Sequence, residues 1–287
     1  MFKITTNEPT SVKEPLDLFP NEVSIKPFLK WAGGKTQLIP ELLKFVPSNY
    51  NKYIEPFFGG GAFFFFLNPL NAVIADSNEE LIITYKAVRD SVQDVITILN
   101  KYKNNESFFY QIRELQPAKL SAPERAARLI YLNKTCFNGL YRVNKKGVFN
   151  VPYGKRNNDF VNQDLLLDAS GFLKDKKIIH SDYIDTLRKY ASPNDFIFLD
   201  PPYYPVGKYS DFKRYTKNFF YHNDHIALKT EFDRLVEIGC YVLLTNSAHP
   251  LILDLYKDYD IHVIETKRLI SCNPNTRFGK DIIVIGN

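Results

Sequence analysis

The stretch Lys52-Tyr-Ile-Glu-Pro-Phe-Phe-Gly-Gly-Gly-Ala62 decides the fold of this 287-residue chain. Its first residues, Lys52–Phe57, predict a short buried strand, the glycines predict a turn, and the apolar residues that follow predict a helix. A second strand is predicted at Ala72–Asp76, and a second helix begins near Glu79. Strands that alternate with helices in this way are typical of a parallel sheet covered by helices.

The same alternation returns near the middle of the chain and continues to the C-terminus. The strands that it predicts are Lys177–His180, Phe196–Leu199, Tyr241–Thr245, Asp260–Ile264 and Asp281–Gly286. The sequence therefore predicts an α/β fold with a doubly wound, mostly parallel sheet. We assign residues 25–86 and 168–287 to this core domain, and residues 1–24, which are polar and contain proline, to a loose N-terminal tail.

Residues 87–167 interrupt this pattern and predict an insert. Ser121-Ala-Pro-Glu124 is a capping box that begins a helix. After Gly139, an Asn144–Gly147 turn between two short alternating runs predicts a β-hairpin with a basic tip. A two-stranded ribbon of this kind fits the major groove of DNA. The alternative for the hairpin is a solvated surface element. The alternative for Arg142 is an ion pair with an acid of the insert.

Composition narrows the class of protein. Apolar residues make up 45% of the chain, which is enough for a sizeable core, and the formal net charge of +5 permits a nucleic-acid partner without requiring one. The three cysteines and five histidines show no spacing typical of a disulfide framework or a metal site. Neither a membrane-length apolar run nor a signal-peptide pattern is present, so we expect a cytoplasmic protein.

The glycine turn and the next strand together predict a nucleoside site. Glycines let the backbone approach a ligand, and a helix N-terminus favours polar or anionic groups. Asp76 ends the following strand, roughly where a dinucleotide-binding fold has its ribose-binding carboxylate. The usual phosphate-binding spacing of glycines is absent, which favours a ligand without a phosphate. An ordinary strand-to-helix turn is the alternative.

A second glycine motif, Lys30-Trp-Ala-Gly-Gly-Lys-Thr36, superficially suggests an ATP-binding loop. That pattern needs a glycine five residues before Gly34, where this chain has Leu29. The sequence therefore argues against ATP binding at this motif.

Asp200-Pro-Pro-Tyr203 directly follows the predicted strand Phe196–Leu199. In open α/β sheets, ligands bind beyond the carboxyl ends of the strands. The loop offers a carboxylate, carbonyl groups in a backbone stiffened by prolines, and an aromatic face. This set suits a flat amine, because acceptors bind its two N–H groups and a ring stacks on it. An ordinary turn is the alternative.

Together these motifs resemble the DNA adenine methylase family of amino-directed DNA methyltransferases, which has the KWAGGK motif, the EPFxGGG motif, a recognition insert and DPPY in this order. Two insert segments also match, Phe137-Asn-Gly-Leu-Tyr-Arg-Val-Asn144 and Phe149-Asn-Val-Pro-Tyr-Gly154. The resemblance extends from Lys26 to the C-terminus but does not match the tail or Cys272–Phe278. It implies the class I S-adenosylmethionine-dependent methyltransferase fold, with a helical and β-hairpin DNA-recognition insert.

The resemblance also implies a role for individual residues, with no metal among the requirements. The residues expected to contact or border S-adenosylmethionine are Trp31, Lys35, Phe57, Gly59, Gly61, Asp76, Asp182 and Asp200. The expected catalytic loop consists of Asp200, Pro201, Pro202 and Tyr203. The expected DNA-binding residues, which include the tip of the hairpin, are Lys30, Asn138, Arg142, Asn144, Lys145, Lys146 and Pro152.

The implied reaction is methylation of N6 of an adenine that is flipped out of double-stranded DNA, in the site GATC, and a restriction endonuclease that acts separately is an implied companion. Two alternatives stay open: an amino methyltransferase that acts on RNA or on cytosine, and a catalytically inactive DNA-binding protein. The matched insert favours adenine in DNA. The complete loop and cofactor residues favour an enzyme.

Overall fold

The computed structural model of the chain describes residues 24–31, 33–144, 147–155, 159–205, 220–267 and 278–287. The strands found among them are β1 (Tyr53–Glu55), β2 (Ala72–Asp76), β3 (Lys177–His180), β4 (Phe196–Leu199), β5 (Tyr241–Ser247), β6 (Asp260–Lys267) and β7 (Phe278–Gly286). They form one seven-stranded sheet in the order β3-β2-β1-β4-β5-β7-β6.

The sheet is parallel from β3 through β5, and β7 runs antiparallel to both β5 and β6. The predicted mostly parallel, doubly wound sheet is therefore confirmed. The strand order reverses between β1 and β4, which are hydrogen-bonded neighbours. A crevice at such a reversal is where open α/β sheets bind ligands, and the glycine turn and the Asp200–Tyr203 loop both leave the sheet here.

Helices cover both faces of the sheet. In the described residues they are α1 (Ile39–Leu42), α2 (Ala62–Leu67), α3 (Glu79–Leu99), α4 (Glu106–Glu114), α5 (Ala122–Thr135), α6 (Gln163–Leu173), α7 (Tyr183–Tyr190), α8 (His222–Glu237) and α9 (Pro250–Leu255). Alternate residues of β4 belong to two different apolar clusters: Phe196 and Phe198 to one, Ile197 and Leu199 to the other. This alternation places one apolar core on each face of the sheet. None of the described helices is long and apolar enough to cross a membrane.

The segment predicted as an insert is built on α3, which packs against α5 and α6. The predicted capping box is present, and the Ser121 N–H donates to Glu124 Oε2 at 2.8 Å. α3 bends at Ser91, whose φ of −146° and ψ of 40° are not helical. The boundary that we predicted between residues 86 and 87 lies inside this helix, so the division of the chain into domains stays a prediction.

The predicted hairpin has the expected turn but not the two expected strands. Val143 and Phe149 form one isolated antiparallel bridge, and Cys136 and Tyr153 form another. The hairpin itself is present, because the Asn144 N–H donates to the Val148 carbonyl at 2.9 Å and the Asn150 N–H donates to the Arg142 carbonyl at 3.1 Å. The prediction of two regular strands was wrong, because the chain turns at Phe137–Gly139. Lys145 and Lys146, at the tip, lie outside the described residues, as do residues 1–23 and 272–277.

Several strand ends also differ from the prediction. β1 is shorter than Lys52–Phe57, because Pro56 cannot donate a ladder hydrogen bond and the chain turns there. β5 extends two residues past Thr245, to Ser247, and these added residues are polar and buried. Burial of polar side chains in a strand requires hydrogen-bond partners for them, and the partners lie in the site described below.

The turn between β1 and α2 requires glycine. Gly61, the N-cap of α2, has a φ of 64°, and a Cβ atom on it would lie 2.5 Å from Phe58 Cζ. Gly59 has a φ of 48°, and its Cβ would lie 2.9 Å from Trp31 Cδ1. Side chains rarely adopt such φ angles. The turn therefore packs closely on both Phe58 and Trp31.

We predict that Gly61→Ala destabilises the protein, whereas Gly171→Ala does not. At Gly61 the left-handed backbone alone costs about 1–2 kcal/mol for an L-residue, and contact with the Phe58 ring adds to it. Gly171, in α6, is exposed and has no atom within 4 Å of an added Cβ, so alanine stabilises the helix there by about 0.5–1 kcal/mol. Urea unfolding measures both; equal stability of the two variants would contradict the assignment.

Candidate active site

The site lies where β1, β2 and β4 end, and Lys35 and Trp31 contact it from the segment before α1. The loop after β4 carries Asp200, and the turn after β1 carries the glycines. Because β1 pairs with both β2 and β4, the ends of these three strands lie side by side. The residues that the sequence assigned to cofactor binding and to catalysis are therefore assembled in one place.

Asp200 is held by two neighbours on the same oxygen atom. Lys35 Nζ lies 2.7 Å from Asp200 Oδ1, and Thr245 Oγ1 donates to that oxygen at 2.7 Å. The other oxygen, Oδ2, makes no hydrogen bond with the described residues. Burial raises the pKa of the Asp200 carboxyl, and Lys35 and Thr245 act against this increase. The arrangement fixes one oxygen and leaves the other for a ligand.

Lys35 connects three parts of the site. Its side chain is only 7% exposed, and besides the ion pair with Asp200 it donates a hydrogen bond to the carbonyl oxygen of Gly33. Its Nζ also lies 4.6 Å from the centre of the Tyr203 ring, over its face. A cation over an aromatic face is attracted to it. Lys35 therefore orients both the carboxylate and the ring of the loop.

Asp76, at the end of β2, fastens the glycine turn. Its Oδ2 accepts the Gly59 N–H at 2.9 Å, and its Oδ1 accepts the Asn78 N–H at 2.8 Å. Burial raises the pKa of this carboxyl, and the two backbone hydrogen bonds oppose the increase. A carboxylate oxygen accepts more than one hydrogen bond, so Asp76 retains capacity for the hydroxyl groups of a ligand.

Two aromatic pairs flank the turn. Trp31 stacks on Tyr141 with ring centres 4.9 Å apart, and Phe57 stacks on Tyr183 at 5.0 Å. The Tyr85 hydroxyl donates to the Gly59 carbonyl at 2.9 Å and supports the turn from beneath. Flat aromatic groups on both sides of a glycine turn suit a flat ring as ligand.

Asp182 lies beside Asp76 but acts locally as a helix cap. Its Oδ1 accepts the Ile184 N–H at 2.9 Å at the start of α7. The preceding residue, Ser181, donates its N–H to the Asp76 carbonyl at 3.3 Å, which brings the ends of β2 and β3 together. The side chain is exposed at the same edge of the sheet as the predicted cofactor residues.

Lys30 is tied to the segment predicted to read DNA. Buried Asn133 of α5 accepts the Lys30 N–H at 2.8 Å and donates to the Lys30 carbonyl at 2.7 Å and the Gly139 carbonyl at 3.3 Å. The turn that contains Gly139 presents Asn138, which is exposed and has a φ of 57°. Two predicted DNA-binding residues, Lys30 and Asn138, thus lie on either side of one buried amide.

Arg142 is exposed and is oriented by an amide rather than by an acid. Its Nε donates to Asn150 Oδ1 at 2.9 Å, and its Nη2 to the Asn150 carbonyl at 3.4 Å. Asn144 Oδ1 accepts the Val148 N–H at 3.1 Å and closes the turn. Exposed Pro152 accepts the Phe137 N–H at its carbonyl. The alternative that Arg142 pairs with an acid of the insert was therefore wrong.

The sequence analysis missed three residues of the site: Glu55, Asn133 and Thr245. All are buried and polar. Glu55 Oε2 accepts the Tyr53 hydroxyl at 2.8 Å, and burial raises the pKa of this carboxyl well above its ordinary value. The available signal was a polar residue inside an otherwise apolar strand or helix, which requires a partner. The described residues contain no cluster of three or more His, Cys, Asp or Glu side chains that could hold a metal ion.

Comparison with known proteins shows the family of the chain. A family model for D12 class N6 adenine-specific DNA methyltransferases matches residues 31–270. The type II methyltransferase M1.LlaDCHI of Lactococcus lactis subsp. cremoris is 39% identical, over 93% of this chain and 97% of that protein. The type II methyltransferase M.MjaIII of Methanocaldococcus jannaschii is 37% identical over 89% and 96%, and the DNA adenine methylase of Serratia marcescens is 33% identical over 86% and 92%. These matches confirm the resemblance predicted from the motifs, and the chain belongs to the D12 class of N6 adenine-specific DNA methyltransferases.

Proposed function

We propose that the chain transfers a methyl group from S-adenosylmethionine to N6 of a flipped-out adenine in double-stranded DNA, in the site GATC. The observation that carries the proposal is the difference in hydrogen bonding between the two carboxylate oxygens of Asp200. Lys35 and Thr245 both contact Oδ1, while Oδ2 makes no hydrogen bond with the described residues. The two prolines that follow have carbonyl groups but no N–H groups. This is an acceptor site for an amino group at the end of β4.

The turn after β1 suits the cofactor. S-adenosylmethionine supplies a methyl group on a positively charged sulfur, which is already activated for transfer. Gly59 and Gly60 allow the backbone to come so close to Trp31 that a Cβ atom on either would lie within about 3.0 Å of it. Asp76 is an acceptor for the ribose hydroxyls, Phe57 offers a stacking surface for the adenine ring, and Asp182 is an acceptor beside it.

The target adenine must leave the base stack before its N6 reaches the loop, which costs on the order of a few kcal/mol. Stacking on Tyr203 offsets about 1–3 kcal/mol of this. The amino nitrogen is a poor nucleophile because its lone pair is delocalised into the ring. Asp200 Oδ2 and the Pro201 carbonyl accept its two N–H groups, localise the lone pair and stabilise the positive charge that develops on attack.

We predict that Asp200→Ala abolishes methyl transfer, because it removes an acceptor that acts in the transition state. Transfer of a labelled methyl group to duplex DNA measures this. Asp254→Ala is the matched control, since Asp254 is exposed and pairs with Lys257 on the surface, and it retains wild-type activity. Activity of Asp200→Ala within tenfold of wild type would contradict the role of the loop.

We predict that Asp76→Ala and Trp31→Ala weaken cofactor binding more than DNA binding. A lost hydrogen bond to a charged group costs roughly 1.5–3 kcal/mol, which corresponds to an affinity about 10–150 times lower. Titration calorimetry with S-adenosylmethionine gives the dissociation constants, and a shift assay with duplex DNA is the comparison. Unchanged cofactor affinity in both variants means that the cofactor binds elsewhere.

The exposed edge of the hairpin supports sequence-specific reading. Asn150 contacts the Nε and Nη2 atoms of Arg142, so Nη1 and the second hydrogen of Nη2 stay available for a two-pronged contact with guanine. Asn144 and Lys30 supply further donors at base edges. Lys145 and Lys146 act at phosphates, which position the protein without carrying sequence information.

Variants of the hairpin separate reading from positioning. We predict that Arg142→Ala loses about 1–3 kcal/mol of discrimination and methylates sites close to GATC. Asn150→Ala relaxes the site in the same direction, because Arg142 loses its fixed orientation. The Lys145→Ala/Lys146→Ala double variant binds all DNA more weakly and keeps its site. Single-molecule sequencing of methylated DNA measures each site. If the wild type methylates a different motif, the assignment of GATC as the site is wrong, but the proposed chemistry is not affected.

A separate restriction endonuclease is a further part of the proposal. Two relatives that cover nearly the whole chain carry the name type II methyltransferase. Digestion of DNA from cells that express the protein, with enzymes sensitive to adenine methylation, tests whether the modification protects the site.

A further inference from the structure

Three consecutive polar residues at the end of β5 are buried in the protein. Thr245 and Asn246 are completely buried, and Ser247 is 1% exposed. The strand before them, from Val242 to Leu244, is apolar. Polar groups in such a position cost stability unless they have partners. Their partners lie on the Asp200–Tyr203 loop and on Tyr204 directly after it.

The register of the sheet brings the two segments together. β4 and β5 are parallel, with Leu199 opposite Leu244. The residues that follow these two, Asp200 and Thr245, are therefore also adjacent. Thr245 Oγ1 donates to Asp200 Oδ1 at 2.7 Å. This bond occupies the same oxygen as Lys35, and it restricts rotation of the carboxylate.

The other end of the loop is held at Tyr204. Asn246 Oδ1 accepts the Tyr204 N–H at 3.0 Å, and Ser247 Oγ donates to the Tyr204 carbonyl at 2.7 Å. Pro201 and Pro202 have no N–H with which to anchor the loop between these points. The loop therefore spans two fixed ends that are both bonded to β5.

Asn246 is not explained by stability alone. Its Oδ1 also accepts the Ser247 N–H at 2.9 Å, but its buried Nδ2 has no hydrogen-bond partner in the described part of the chain. A buried donor without a partner costs about 1–3 kcal/mol. Its oxygen, in contrast, bonds to the backbone at the end of the loop, which suits a side chain that holds the loop in position.

We propose that Thr245, Asn246 and Ser247 are positioning residues that set the geometry of methyl transfer. Thr245 turns Asp200 so that Oδ2 faces the target amino group. Asn246 and Ser247 fix Tyr204, and thereby the Pro201 carbonyl and the Tyr203 ring. The proposal rests on the proposed function of the loop, and it assigns these three side chains to the chemical step rather than to binding of DNA or cofactor.

The test is the single-turnover rate of methyl transfer at saturating duplex DNA and S-adenosylmethionine, measured from about pH 5 to about pH 9. Thr245→Val keeps the shape of the side chain and removes its hydroxyl. The rate constant is expected to fall at least about tenfold, with both dissociation constants within about threefold of wild type. Thr245→Ser keeps the hydroxyl and is expected to have a rate constant close to that of the wild type.

The pH dependence identifies the mechanism. The Lys35 ion pair and the Thr245 hydrogen bond lower the pKa of Asp200, and the charge of Asp200 in turn raises the pKa of the buried Glu55 carboxyl on β1. Ionised Asp200 accepts hydrogen bonds at both oxygens and donates none, whereas the protonated form carries an O–H donor on one of them and is a weaker acceptor there. Loss of the Thr245 bond therefore raises this pKa, and the acid limb of the rate profile moves to higher pH. A purely structural effect leaves the limb in place.

Two further variants separate the possible outcomes. Thr84→Val removes an equally buried hydroxyl, which donates within α3 to the Glu80 carbonyl at 2.8 Å; it loses stability but keeps the wild-type rate and acid limb. Ser247→Ala slows transfer without moving the limb, because its bond does not reach the carboxylate. If Thr245→Val does not fold, Ser247→Ala decides alone: a slower rate at unchanged affinity supports the proposal, and a wild-type rate overturns it.

A wild-type rate and an unmoved acid limb in folded Thr245→Val overturn the positioning role of these residues, while the proposed function of the loop stands. Activity in Asp200→Ala, in contrast, overturns the proposed function itself. The two failures are therefore distinguishable in one set of measurements.

Discussion

The ion pair between Lys35 and Asp200 removes two charges from water, since the lysine is 7% and the aspartate 18% exposed. Such a pair is costly to bury, and loss of one partner leaves an uncompensated charge that costs about 3–5 kcal/mol. Here the cost is offset by additional bonds: Gly33 and the Tyr203 ring contact the lysine, and Thr245 contacts the aspartate. The pair joins the segment before α1 to β4 and β5, and the shape of the site depends on that junction.

The topology of the sheet makes this junction possible. From β1 the chain continues to β2 and β3 on one side of the sheet, and from β4 it continues to β5 on the other side. The ends of β1 and β4 therefore lie side by side with no crossover connection above them. The glycine turn and the Asp200–Tyr203 loop emerge there, one from each half of the sheet. The methyl donor that we propose at the glycine turn and the target base that we propose at the Asp200–Tyr203 loop therefore have neighbouring sites at one edge of the sheet.

The sequence predicted the fold well because the signals were local. The apolar runs of β2, β3 and β4 have the predicted bounds, and Ser121 and Glu124 form the predicted capping box. Two of the three missed residues, Thr245 and Asn133, have partners that are distant in the sequence. Nothing near Thr245 in the sequence indicates that it meets Asp200, and Asn133 lies 103 residues from Lys30, whose peptide it holds. Pairings of that kind follow from strand register and helix packing, which periodicity does not specify.

These distant contacts connect the segment proposed to read DNA with the glycine turn after β1. Asn133 holds Lys30, and the next residue, Trp31, stacks on Tyr141 of the recognition segment. Trp31 also packs against the glycine turn, where a Cβ on Gly59 would touch it. The segment proposed to read DNA therefore contacts the residue before Trp31 through the buried Asn133 amide and contacts Trp31 itself through Tyr141. The segment that we propose to read DNA and the turn that we propose to bind the cofactor therefore share one packed side chain, Trp31, in an interior as dense as a solid.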